Sequence, residues 1–219
     1  MPHAASRLQH ILDGIAAAAK LARRDPSDVT LIAVSKSRPV EEIDPLIAAG
    51  QRDFGESRVQ EALDKWPALL ACNEGLALHH IGRLQSNKAA DAVRLYDVIH
   101  SVDRTSLLDA LAEESAKAGR APSIYVQVNI GDEPQKGGCA IADVPGLVAA
   151  ARRSGLPLAG LMAIPPLGLE PSPYFALLAK IAGREGLAGL SMGMSADYKQ
   201  AIMLGATAVR VGTALFEDE

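Results

Sequence analysis

Lys36 closes the run Leu31-Ile32-Ala33-Val34-Ser35-Lys36. Apolar and small residues in unbroken succession read as a buried strand, so the lysine stands at its C-terminal lip. Scarce water at that place would disfavour the ammonium form and lower the pKa, leaving an amine able to condense with an aldehyde. The product is a Schiff base, the attachment that proteins use for pyridoxal phosphate. A strand-end lysine also has a plainer reading, a side chain snorkelling into solvent. What stands around it decides between the two.

Other strand ends are polar as well. Ser191-Met192-Gly193-Met194-Ser195 and Gly212-Thr213-Ala214 follow the last two apolar runs. Glycines let a backbone approach an anion, and hydroxyls and free N–H groups donate to it. A helix expected over 196–204 would add its positive end. Phe54-Gly55-Glu56-Ser57, the stretch His79 to Lys88 and His100-Ser101-Val102-Asp103-Arg104 close three further runs, and Met162 ends another. A histidine in such a place is more often structural than functional. Met162 reads as packing, although a soft side chain can lie against a cofactor ring. Lys88 and Lys136 read as solvated charge, with assistance to ligand exchange as the alternative. Arg210 shares a face with Ala208 and Gly212, opposite Val209 and Val211, and is expected inside; it then needs either an ion pair or a ligand. No His, Asp or Glu grouping has metal spacing, and no Gly-x-Ser-x-Gly elbow supports a hydrolase.

The elements that must position these residues alternate along the chain. Leu8, Ile11, Leu12, Ile15 and Ala19 recur at helical spacing, which predicts an amphipathic helix over 3–24 halted by Asp25-Pro26. Strands centre on 29–35, 52–54, 76–81, 97–101, 123–130, 157–163, 188–192 and 207–211. Helical patterns fill 41–49, 57–70, 104–118, 143–153, 173–184 and 196–204. Gly50, Gly119, Gly155 and Gly205 fall at helix ends. Eight such steps predict one α/β domain over 1–219, a TIM-type (β/α)8 barrel with an extra N-terminal helix, in preference to an open doubly wound sheet. No helix is expected after the last strand, and the N-terminal helix could cover the face left bare. Tyr125, Gln127 and Asn129 should line the interior, with Val126 and Val128 on the helix side.

Bulk properties exclude several classes. With 22 basic and 26 acidic residues the net charge is −4, which gives no basic footprint for nucleic acid. No run approaches a membrane span, and the N-terminus lacks an apolar signal core. Two cysteines, Cys72 and Cys139, read as reduced thiols, so a soluble cytoplasmic protein is expected.

Taken in order, Ala33-Val34-Ser35-Lys36, Phe54-Gly55-Glu56, His79 to Lys88, His100 to Arg104, Gly160 to Pro165, Leu190 to Ser195 and Val209 to Thr213 resemble the pyridoxal phosphate homeostasis protein family, whose barrel is that of the alanine racemase N-terminal domain. The resemblance covers nearly the whole chain. It implies a Schiff base between Lys36 and pyridoxal 5'-phosphate, and phosphate contacts from Ser191, Gly212 and Thr213. It also implies Met192 and Gly193 in the same loop, Arg210 at the pyridine nitrogen, and His79 and Met162 near the pocket. Where the family reads Phe-Gly-Glu-Asn, this chain has Ser57, a shorter side chain at a position implied to touch the cofactor. The acidic ending Glu217-Asp218-Glu219 is a second departure.

The resemblance implies a monomeric, non-catalytic carrier serving apo forms of pyridoxal phosphate enzymes. Arg210 donates and cannot take the ring-nitrogen proton, and none of Tyr96, Tyr125, Tyr174 and Tyr198 matches the racemase base by motif. The alternatives are a pyridoxal phosphate-dependent racemase and a cofactor-free barrel enzyme with an aldolase-type lysine.

Overall fold

Eight parallel strands, hydrogen-bonded in sequence order with the last returning to the first, form a closed barrel in the computed structural model, which describes residues 2–217. They are β1 (Thr30–Val34), β2 (Asp53–Glu56), β3 (Ala77–His80), β4 (Val98–Val102), β5 (Ser123–Gln127), β6 (Leu158–Met162), β7 (Gly189–Met194) and β8 (Ala208–Val211). The helices are α1 (Pro2–Leu21), α2 (Val40–Ala48), α3 (Val59–Cys72), α4 (Ala89–Leu95), α5 (Thr105–Ala118), α6 (Val144–Arg153), α7 (Ser172–Arg184), α8 (Tyr198–Met203) and α9 (Thr213–Phe216). The closed alternative is thus the one adopted. The seam pairs Thr30 with Ala208 through Ala33 with Val211.

Side-chain alternation divides the interior from the shell. Val126, Val128, Val209 and Val211 point outward and pack with Leu46, Trp66, Leu107 and Phe175 from the helices. Their neighbours in sequence, Tyr125, Gln127 and Arg210, point inward as expected. Gly50, Gly119, Gly155 and Gly205 all have positive φ. At Gly50 the Gln51 N–H reaches back to Leu46 O, which turns the chain out of α2 toward β2.

The structure departs from expectation at several element ends. Helix α1 stops at Leu21, before Asp25, because Arg23 takes φ 56° and Arg24 N–H closes on Ala19 O. Helix α4 was not anticipated: seven residues give too short a periodic signal. A single turn, α9, does follow β8. Strand β7 runs on to Met194, so residues 191–194 belong to the strand and the loop begins at Ser195; α8 begins at Tyr198. Helix α1 packs along α2, α8 and α9 and buries Leu8, Ile11, Ile15 and Ala19, the covering role expected of it. Asp218 and Glu219 of the acidic ending lie outside the described residues.

Candidate functional site

Strand β1 ends two residues before Lys36, and the turn Ser35–Arg38 is pinned from outside the barrel. Ser35 Oγ donates to Glu56 Oε1 at 2.7 Å, and Arg38 N–H returns to Ser35 O. Ser37 takes φ 60°, and its N–H meets Glu61 Oε1 at 2.5 Å. Lys65 of α3 completes the clamp: its ammonium donates to Ser35 O at 3.0 Å and to Arg38 O at 3.1 Å, and lies 2.8 Å from Glu56 Oε1. Glu56 is fully buried and also receives Trp66 Nε1–H at 2.9 Å. A buried ion pair with this many partners holds its geometry. The Lys36 side chain itself is exposed and has no ion pair among the described residues. The expected scarcity of water around it is therefore not met: Ser35 is buried, Arg38 is half-buried, and Lys36 and Ser37 are exposed.

Three lips meet at this end of the barrel. Gly212 lies against β1: a Cβ there would stand 3.4 Å from Val34 Cβ. Gly212 N–H donates to Ser195 Oγ at 3.3 Å, which ties the β7 and β8 lips together. Thr213, exposed, opens α9. Ser195 carries the hydroxyl at the β7 lip, one of the residues in the anion loop read from sequence.

Below the lips a hydrogen-bonded chain crosses the interior. Asp53 Oδ1 lies 3.0 Å from His79 Nε2, His79 Nδ1 lies 2.9 Å from His100 Nε2, and His100 Nδ1 lies 2.8 Å from Ser191 Oγ. Arg210 Nη1–H donates to Ser191 Oγ at 2.5 Å, and Nη2–H to Ala163 O at 3.2 Å, beyond the end of β6. A carboxylate only accepts and a guanidinium only donates. One proton on each ring suffices to satisfy every contact between those ends. His79 Nε2–H points to Asp53, His100 Nε2–H to His79, and the Ser191 hydroxyl to His100, leaving its lone pairs for Arg210. Burial, with His79 and Arg210 alongside, holds His100 well below its ordinary pKa, and its ring stacks on Tyr125 at 4.6 Å.

Arg210 is buried, and among the described residues no carboxylate reaches it within salt-bridge distance. The structural ion pair weighed from sequence is absent there. Burial pushes its pKa down to about 10, opposed by the charge of Asp197. Two of its five N–H donors are used, so the guanidinium can take a further acceptor.

The remaining candidates are distributed unevenly. Met162 is buried in the interior, in register with Ser191 and Gln127. Ser191 holds its hydroxyl inside the barrel between His100 and Arg210. Met192 faces the opposite way, into the shell core, and Gly193 is buried with its Cα facing Ala201 of α8. His79 lies deep, toward Asp53. Ser57 is pressed against Gly82, on which a Cβ would sit 2.2 Å from Ser57 O. Lys136 pairs with Glu133 at 2.6 Å and donates to Pro165 O, so it bridges two loops. Sequence reasoning missed Lys65, Glu56 and Glu61 as positioning residues. The one local signal was the Glu61–Lys65 spacing of four on a helix.

The fold and this lip define a barrel of the alanine racemase N-terminal type: that domain family matches residues 7–219. An alanine racemase of Clostridium difficile superposes with TM-score 0.74 at 14% identity, over 98% of this chain and 57% of that one, a likeness of fold alone. The pyridoxal phosphate homeostasis protein of Pseudomonas aeruginosa is 42% identical over 221 residues, 97% of this chain and 94% of the relative. PipY of Synechococcus elongatus, solved with pyridoxal phosphate bound, superposes with TM-score 0.81 at 39% identity, over 98% of this chain and 100% of that one. The chain belongs to the pyridoxal phosphate homeostasis protein family.

Proposed function

We propose that this chain holds pyridoxal 5'-phosphate through a Schiff base on Lys36 and serves, without catalysis, to store and deliver the cofactor to apoenzymes in the cytoplasm, as a monomer. The observation that carries the reading is Lys36 on a clamped turn, without an ion pair among the described residues, beside the joined Ser195 and Gly212 lips. A relative 39% identical was solved with this cofactor, which supports the same ligand here. When bound, the cofactor supplies an aldehyde carbon, a phosphate dianion and a basic ring nitrogen. Lys36 would condense with the aldehyde, releasing water. The Ser195 and Thr213 hydroxyls would donate to the phosphate beside Gly212, and Arg210 has donors left for the ring nitrogen. Met162 would pack beneath.

The carrier reading rests on what these residues lack chemically. Arg210 donates and keeps its own proton, so it does not provide the protonated ring that carbanion chemistry uses. Proton abstraction also needs a second acid/base at the reacting carbon. Tyr125 is stacked on His100 inside the barrel, and Tyr96 is fully buried, packed edge-on to His80. Tyr198 is packed against Gly14 of α1, and Tyr174 lies on α7. No helix among the described residues is long and apolar enough to cross a membrane.

The purified protein, mixed with pyridoxal phosphate and reduced with borohydride, should carry the label on the peptide containing Lys36. Lys36→Ala should lose covalent capture and keep its unfolding midpoint. A label retained in that variant would assign the attachment to another lysine. Racemisation of alanine at ordinary enzymatic rates would overturn the carrier reading.

A further inference from the structure

A second polar concavity opens on the same end of the barrel, between the loops that follow β2, β3 and β4. It is a cleft of about 690 Å³, within the range of small-molecule sites. Arg58, Arg83, Lys88 and Arg104 line it, with Ser57 at the edge it shares with the cofactor lip, and no carboxylate does among the described residues. Arg104 is compensated by Asp103 at 2.6 Å and tied to Leu84 O and Ser86 Oγ. Arg58, Arg83 and Lys88 have no ion pair among the described residues, in a chain whose net charge is −4.

Two further observations point to a ligand. Helix α3, fourteen residues long, starts here without a side-chain cap, and Val59 and Gln60 of its first turn line the cleft at the positive end of the helix. His80, buried, lines the cleft, and apart from the Gly82 backbone its ring nitrogens have no hydrogen-bond partner among the described residues. Buried polar atoms are ordinarily partnered, and an imidazole offers one donor and one acceptor when neutral.

We propose that this cleft is a binding site for a small phosphorylated molecule, apart from the Lys36 attachment. Guanidinium forks and a helix N-terminus suit a phosphate dianion. His80 suits a neutral hydroxyl or amide on the same molecule, since burial pushes its pKa down to about 4 and the Gly82 backbone offsets this only in part. The site does not depend on the cofactor reading for Lys36.

Calorimetric titration with inorganic pyrophosphate tests it, on protein whose Lys36 has been loaded with pyridoxal phosphate and reduced, and on cofactor-free Lys36→Ala protein. Both should bind one pyrophosphate per chain, weakening several-fold as salt is raised to about 0.5 M. The Arg58→Ala/Arg83→Ala double variant removes two exposed, unpaired side chains and should fold normally. It should bind at least ~10-fold more weakly, as loss of charge-assisted donors requires. Arg153→Ala, on the surface of α6, should leave the affinity unchanged. Absence of saturable binding to either protein would overturn the proposal. So would equal affinity in the double variant, or binding to Lys36→Ala protein that disappears in the loaded protein, since the anion would then occupy the cofactor's place. Failure of Lys36 to take pyridoxal phosphate would sink the carrier reading alone, because the Lys36→Ala titration needs no cofactor.

Discussion

His80 and His100 are neutral where they are because burial makes an imidazolium costly. For His80 the folded pKa is about 4, against about 6.5 in an unfolded chain. Between those values the unfolded chain binds a proton that the folded protein refuses. Stability is therefore fully present above pH ~6.5 and falls as the pH drops toward ~4, by about 3 kcal/mol for this residue. His100, also held low, acts in the same sense. Urea unfolding at pH 7, 5.5 and 4.5 should show the decline, and His80→Asn should make it shallower. A flat profile would mean that neither imidazole is kept neutral. Lys65 is the other residue whose role can be isolated. Lys65→Met leaves Glu56 buried without its cation and should cost about 3–5 kcal/mol. It should also slow covalent capture at Lys36, because the carbonyls of Ser35 and Arg38 lose their donor. A variant that unfolds at lower urea but captures cofactor at the native rate would show that the turn holds its shape without the clamp.

Among the elements, β6 and β7 meet through paired glycines, Gly160 and Gly189. A Cβ at Gly160 would stand 1.9 Å from Gly189 O, backbone that cannot give way without parting the two strands. Gly160→Ala should cost about 3 kcal/mol or more and disturb the register that sets Met162 beside Ser191. Gly146, in the first turn of α6, has open space around it and an ordinary negative φ. Gly146→Ala should raise stability by about 0.5–1 kcal/mol through helix propensity and reduced unfolded-chain freedom. Thermal unfolding of the two variants should move the midpoint in opposite directions. Movement in the same direction would contradict the close approach at Gly160.

For the molecule as a whole, closure leaves no free strand edge, and α1 completes the outer layer beside α8 and α9. Ile15 of α1 is 3% exposed within the shell core. Ile15→Asp buries an unpaired charge there and should cost more than about 4 kcal/mol, with loss of soluble folded protein. Leu21→Asp, at the exposed end of the same helix, should be within about 0.5 kcal/mol of the native protein. Comparable losses in the two variants would mean that α1 helicity, and not its packing, is what matters.

The barrel was legible in the chain because its rules are local. Alternation with a period of two assigns inside and outside on each strand, which is why Val126 and Arg210 fell on the expected faces. Glycine at a helix end marks the reversal into the next strand, as at Gly50 and Gly205. Lys36 and the Ser195 and Gly212 lips were visible for the same reason: each ends a strand, and parallel strands all end together. What each side chain touches was not legible. His100 and Ser191 are 91 positions apart, and only closure of the barrel brings their polar atoms within 2.8 Å. The same holds for the Lys65 clamp on Ser35 and Arg38, and, among the described residues, for the lack of an ion pair at Arg210 and at the three cations around His80. Periodicity carries the direction of a side chain, whereas its partners are set by strands and helices far away in the chain, through packing that no local pattern encodes.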